Sequence, residues 1–177
     1  MIFDYGKAIL EALLFAAPEP LSLHRLAELM GMEEKAVRSL LDELRQDYEA
    51  ASRGLTIIDV AGGYQLATRP DLQEYLSRLL PDRRQPVLSR AALETLAVVA
   101  YNQPVTRAEI EHIRGVASDR SVTSLMEKGL VQEGGRRDAP GRPILYGTSP
   151  LFLQHFGLNS LADLPRLEDF PVSLDSD

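Results

Sequence analysis

The sequence predicts a mostly α-helical α+β chain of two tandem winged-helix domains, each a helix-turn-helix followed by a small β-hairpin wing. Three observations carry this reading. Apolar residues recur at i, i+3, i+4 and i+7 in segment after segment, the period of a helix with one buried face. In two places, three such segments are followed by a pair of short β-prone runs around a turn containing Gly. The two places are also copies of one another.

The copy shows when PLSLHRLAELMG (20–31) is set against PVTRAEIEHIRG (104–115). At a single offset of 84 residues, Pro20 meets Pro104, Ser22 meets Thr106, Leu26 meets Ile110, Leu29 meets Ile113 and Gly31 meets Gly115. The same offset sets Ala16 on Ala100 and Leu14 on Val98, in the apolar segments just before. A tandem duplication of one supersecondary unit explains all of these together.

In the first unit, helix one spans roughly residues 5–17. Pro20 cannot continue a helix interior, so the chain turns there. Ser22 caps helix two and Gly31 stops it. Helix three opens near Glu33, with Val37, Leu40, Leu41 and Leu44 on its inner stripe. LTIIDV (55–60) and YQLAT (64–68) make a hairpin around Ala61-Gly62-Gly63. A further helix over 71–80 carries Leu72, Tyr75, Leu76 and Leu79 on one stripe.

The second unit follows the same plan. Helix one spans roughly 89–102. Thr106 and Glu109 have capping-box spacing and open helix two, which Gly115 ends. Ser118 caps helix three, with Val122, Leu125 and Met126 facing inward. LVQEG (130–134) and ILYGT (144–148) form the second hairpin around GRRDAPGRP (135–143). Pro150 sits at the first position of another short helix, and Asn159 or Ser160 starts one more. The expected boundaries are a first domain at 1–80, a linker at 81–88, a second domain at 89–164 and a flexible acidic tail at 165–177.

Composition narrows the function. Cysteine is absent from the 177 residues, which excludes disulfides, thiolate zinc sites and cysteine nucleophiles. The apolar run AILEALLFAA (8–17) is broken by Glu11 and too short to cross a bilayer. No basic stretch precedes it, as a signal peptide would require. A soluble cytoplasmic protein that touches no membrane is expected.

The net charge is −7. Residues 1–80 hold 8 Lys/Arg against 13 Asp/Glu, and residues 81–150 hold 10 against 8. A helix-turn-helix reads DNA with the N-terminal part of its third helix. In the first unit that end is Glu33-Glu34, which suits the helix dipole and repels phosphate. In the second it is Ser118-Asp119-Arg120, with Lys128 at the far end and Arg136, Arg137 and Arg142 in the wing. Duplex contact, if any, belongs to the second unit.

No catalytic constellation, metal site or cofactor motif is found. His24, His112 and His155 are widely spaced, and no phosphate-binding loop, nucleophile elbow or paired-His zinc motif occurs. Glu109 and Glu111 lie two apart and so face different ways on a helix. The more telling feature is helix one of each unit, which is apolar nearly all round. Such a helix must be covered on every side. Leu10 and Leu14 are therefore expected at a dimer interface.

The motifs AYNQPVTRAEIEHIRGV (100–116), PGRPILYGTSP (140–150), Phe152-Leu153, Phe156-Gly157-Leu158 and Leu164-Pro165 resemble the segregation and condensation protein B family. The opening ILEALLFAAPEPLSLHRLAELMG resembles its start. The likeness runs from about residue 5 to 165, and the tail lies outside it. It implies a non-catalytic structural subunit of a bacterial condensin-like complex. Such proteins pair into homodimers, chiefly through the N-terminal winged helix, and clasp the kleisin ScpA. The kleisin bridges the heads of an SMC ATPase, and the assembly acts at the nucleoid in chromosome condensation and partition during cell division. DNA contact is at most weak or made through the complex. Tyr101, Arg107 and Arg114 in the first motif, Arg142 and Tyr146 in the wing motif, and Arg120 on helix three are the candidate contacts to a partner. Arg114 has Glu111 three residues earlier as an alternative ion partner. The other class of function open to this layout is a transcription regulator that reads duplex DNA with the second unit.

Overall fold

The computed structural model describes residues 2–79, 88–166 and 168, with side chains from residue 5 onward. In the first unit, α1 (Ile2–Ala16), α2 (Leu23–Met30) and α3 (Glu34–Ala50) precede an antiparallel hairpin of β1 (Leu55–Val60) and β2 (Gly63–Thr68). A 3-10 turn (Pro70–Leu72) and α4 (Gln73–Leu79) follow. The second unit runs α5 (Arg90–Asn102), β3 (Val105–Thr106), α6 (Arg107–Arg114), α7 (Asp119–Glu127), β4 (Val131–Arg136), β5 (Ile144–Thr148) and α8 (Pro150–Phe156), closing on a 3-10 turn at Leu161–Asp163.

Local chemistry sets the helix ends. The Ser22 hydroxyl accepts from Arg25 N–H at 3.2 Å. Thr106 and Glu109 form the full reciprocal capping box. Ser118 differs from expectation. It occupies the N-cap position of α7 but makes no side-chain cap bond. Its hydroxyl is taken by Arg114, which donates to it at 3.0 Å.

Two apolar cores form, with no residue in common. Leu10, Leu14, Leu26, Val37, Leu40, Leu41 and Leu44 anchor the first, and Leu96, Val99, Ile110, Val122, Leu125, Tyr146 and Phe152 the second. The inner stripe of α3 is as the periodicity predicts. Leu88, placed by sequence in the linker, is buried in the second core. The rest of that linker, 81–87, lies outside the described residues, as does most of the expected tail.

β3 has no counterpart in the sequence reading. Two residues suffice to pair it with β5, giving a sheet ordered β3-β5-β4. The first unit keeps a one-residue version. Leu21, at the 84-residue offset from Val105, exchanges backbone hydrogen bonds with Tyr64 at 3.0 and 2.8 Å. This close approach requires Gly63, where a Cβ would lie 2.8 Å from the Leu21 carbonyl oxygen.

Helix one corrects the expected interface. Leu10 and Leu14 are 0% and 2% exposed, packed inside the first core. They face α2 and α3, so neither meets a partner in a folded chain. Likewise α4 contributes no buried residue, and Tyr75 and Leu79 on its stripe stand exposed.

Candidate protein-docking surfaces

The face of α1 away from the core carries Tyr5, Ala8, Ala12 and Phe15, all exposed. Their spacing of three, four and three residues sets them in one line along the helix. Phe15 is 79% exposed, so an aromatic ring stands in water at the end of this line. Glu11, beside it, is engaged by the Tyr48 hydroxyl, which donates to Oε1 at 2.6 Å. Burial, and then that carboxylate, push the Tyr48 phenol above its ordinary pKa.

On the second unit, α5, α8 and the segment after α8 enclose an apolar groove of about 380 Å³. Leu93, Ala97, Tyr101, Phe156, Leu158 and Leu164 are among its lining. Leu93 and Phe156 are large apolar side chains left exposed there.

The six second-unit residues picked from sequence separate by depth. Tyr146 is 3% exposed and belongs to the core. Its hydroxyl meets Arg107 at 3.5 Å, and Arg107 pairs with Asp119 across the start of α7. The Arg114 side chain is only 6% exposed. It donates to Ser118 Oγ and to Glu94 Oε2, each at 3.0 Å, joining α6 to α5. Glu111, its expected partner, instead accepts from the Ser118 backbone N–H at 3.0 Å. Arg114 and Tyr146 are therefore struts within the fold and offer little to a partner. Tyr101 is half-buried, with its hydroxyl donating to the Pro165 carbonyl at 2.7 Å and its ring on the groove. Arg120 and Arg142 are exposed, and their side chains find no partner among the described residues.

Around the wing base, Arg137 reaches Glu109 Oε1 at 2.6 Å. This bond, then the Thr106 backbone and hydroxyl, hold the Glu109 carboxyl down at about 2. Sequence reasoning missed Leu93, Phe156 and Phe15. For Leu93 and Phe15 the available signal is the excess of apolar area on helix one of each unit, which marks the helix and not the face; Phe156 lies on α8, outside that signal. Among the described residues, no cluster of His, Asp and Glu is arranged to hold a metal, and no helix is long and apolar enough to cross a membrane.

Three helices followed by an antiparallel hairpin, twice over, make the chain an α+β protein of two similar units. The family model described as "Segregation and condensation complex subunit ScpB" matches residues 8–167. A segregation and condensation protein B of Symbiobacterium thermophilum is 54% identical over 168 residues, 95% of this chain and 76% of that one. That of Moorella thermoacetica is 53% identical over 170 residues, 96% and 87% of the two chains. Among solved structures, ScpB from Mycobacterium tuberculosis is 36% identical, covering 88% of this chain and 97% of that one at a TM-score of 0.44. A dimer of an ScpB N-terminal domain complexed with an ScpA peptide is 35% identical, covering 45% and 99% at a TM-score of 0.43. The chain belongs to the ScpB family.

Proposed function

We propose that this chain is a non-catalytic structural subunit of a bacterial condensin-like complex. It pairs with a second copy through the α1 face and clasps the kleisin ScpA, which links it to the SMC ATPase. In this role it supports chromosome condensation and partition during cell division, in the cytoplasm and at the nucleoid. Its place in the ScpB family supports the reading. The observation that carries it is apolar area left uncovered in two separate places, at Tyr5 and Phe15 on α1 and at Leu93 and Phe156 in the groove. Contiguous apolar patches on a soluble chain mark surfaces for other proteins. An amphipathic helix or extended segment of the kleisin fits a groove of this kind. Arg107, whose guanidinium is partly exposed beside the wing, and Tyr101 at the groove are the polar contacts retained from the sequence reading.

The test is a titration of the ScpA middle region against the purified protein with no DNA present. Binding is expected, and Leu93→Glu should weaken it by more than tenfold, since a buried anchor carries ~2 kcal/mol or more. Circular dichroism of that variant should match the parent. Absence of ScpA binding, together with sequence-selective duplex binding, would replace this reading with the transcription-regulator one.

A further inference from the structure

The turn between β1 and β2 holds two backbone donors that its own hairpin cannot use. Val60 pairs with Gly63, leaving Ala61 and Gly62 as a two-residue loop with φ of 51° and 74°. Positive φ at both positions is the type I′ turn. Its only internal hydrogen bond joins the flanking residues, so the two central N–H groups point away from the ladder. In the structure both are taken by the other unit. Ala61 N–H donates to the Leu158 carbonyl at 2.9 Å. Gly62 N–H donates to the Asn159 carbonyl at 2.9 Å and to Asn159 Oδ1 at 3.0 Å, from 97 residues away in the chain.

The acceptor side is shaped for this. Leu158 N–H turns back to the Leu153 carbonyl at 2.9 Å, ending α8. Asp163 Oδ2 accepts from the backbone N–H of Asn159 at 3.0 Å and of Ser160 at 2.8 Å. With its own N–H groups used internally, the loop offers its carbonyls to the hairpin. Leu158, Leu164 and Pro165 on this same segment line the apolar groove.

We infer that the hairpin tip of the first unit is a latch on the second, holding the segment 158–165 and so setting one wall of the groove. The latch stands on its own. Only its effect on ScpA rests on the function proposed above.

The chain has no cysteine, so introduced thiols can be read without background. In Ala61→Cys/Asn159→Cys both carbonyl acceptors remain. A short bis-maleimide should link the two thiols within one chain, giving a joined peptide by mass spectrometry that neither single variant yields. Thiols that label but stay unlinked, or link only between chains, overturn the latch. Hydrogen exchange gives an independent reading. Asp163→Ala, in the second unit, should speed exchange of the Ala61 and Gly62 amides by about tenfold, as loss of a net hydrogen bond or two implies. Amides in the core of α3 should not change. Unaltered exchange at Ala61 and Gly62 also overturns the latch. For the groove, Asp163→Ala should bind the ScpA fragment more weakly than the parent, and equal binding removes that consequence. A parent that does not bind ScpA refutes the functional reading, while the crosslink still decides the latch.

Discussion

Gln103 sits where α5 gives way to β3, and its amide joins the helix to the sheet. Oε1 accepts from Thr148 N–H at 2.8 Å, while Nε2 donates to the Ala100 carbonyl at 3.1 Å and to Thr148 Oγ1 at 3.0 Å. Gly147 leaves the room, since a Cβ there would lie 2.9 Å from Oε1. Gln103→Ala orphans the Thr148 N–H and should cost about 1–3 kcal/mol, measured by urea denaturation. Glu109 makes a pH prediction. Its folded pKa, about 2, is below the ordinary 4.5. The stability it adds is therefore present above pH 4.5 and lost as pH falls through 4.5 toward 2. Parent and Glu109→Gln should differ in urea midpoint at neutral pH and converge near pH 2. A gap that persists at pH 2 would assign the effect to shape and not charge. The Thr106–Glu109 pairing was legible in the sequence because it spans three residues of one helix. The Arg114–Glu94 pairing was not, because spacing within α6 says nothing of what α5 presents.

At the scale of elements, α1 separates two roles that the sequence merges. From Ala8 to Ala16 every position but Glu11 is apolar, so the pattern shows that the helix is covered without giving the rotation at which it docks. Docking against α2 and α3 settles it, turning Leu10 and Leu14 inward and Tyr5 and Phe15 outward. The inner stripes of α3 and α7 were legible in the sequence, although the Ser118 cap of α7 was not borne out. β3 was not legible, because two residues have no periodicity and pair only once β5 is beside them. Two variants of α1 should therefore behave differently. Leu14→Ala should lower stability by about 2–5 kcal/mol through the cavity it leaves. Phe15→Glu should leave the unfolding midpoint nearly unchanged and shift sedimentation from dimer to monomer at micromolar concentrations. A parent that sediments as a monomer at tens of micromolar would remove the self-pairing proposal.

Over the whole molecule, charge and apolar area are unevenly placed, and this separates the two kinds of partner. The first unit is acidic, and α3 opens on Glu33 and Glu34 where a DNA reader needs neutral or basic groups. In the second unit, several cations are already spent: Arg107 on Asp119, Arg114 on Glu94 and Arg137 on Glu109. Arg120, Lys128, Arg136 and Arg142 have no carboxylate partner among the described residues, and Arg136 donates only to the Arg142 carbonyl at 3.0 Å. Four such cations neutralise few phosphates. Each phosphate contact contributes about −0.9 to the log–log slope of affinity against salt. Binding of a random duplex should therefore be weak, disappear near physiological salt, and fall further in Arg120→Glu/Arg142→Glu. ScpA binding should change little over the same salt range, because buried apolar anchors are not screened. The double variant should also leave the ScpA titration unchanged unless the kleisin reaches α7 or the wing, in which case affinity and salt slope fall together. Fluorescence anisotropy of labelled ScpA fragment and labelled duplex, each with parent and double variant at low and near-physiological salt, separates these outcomes. Tight duplex binding that survives physiological salt and depends on Arg120 and Arg142 would place the working surface on the wing and not in the groove.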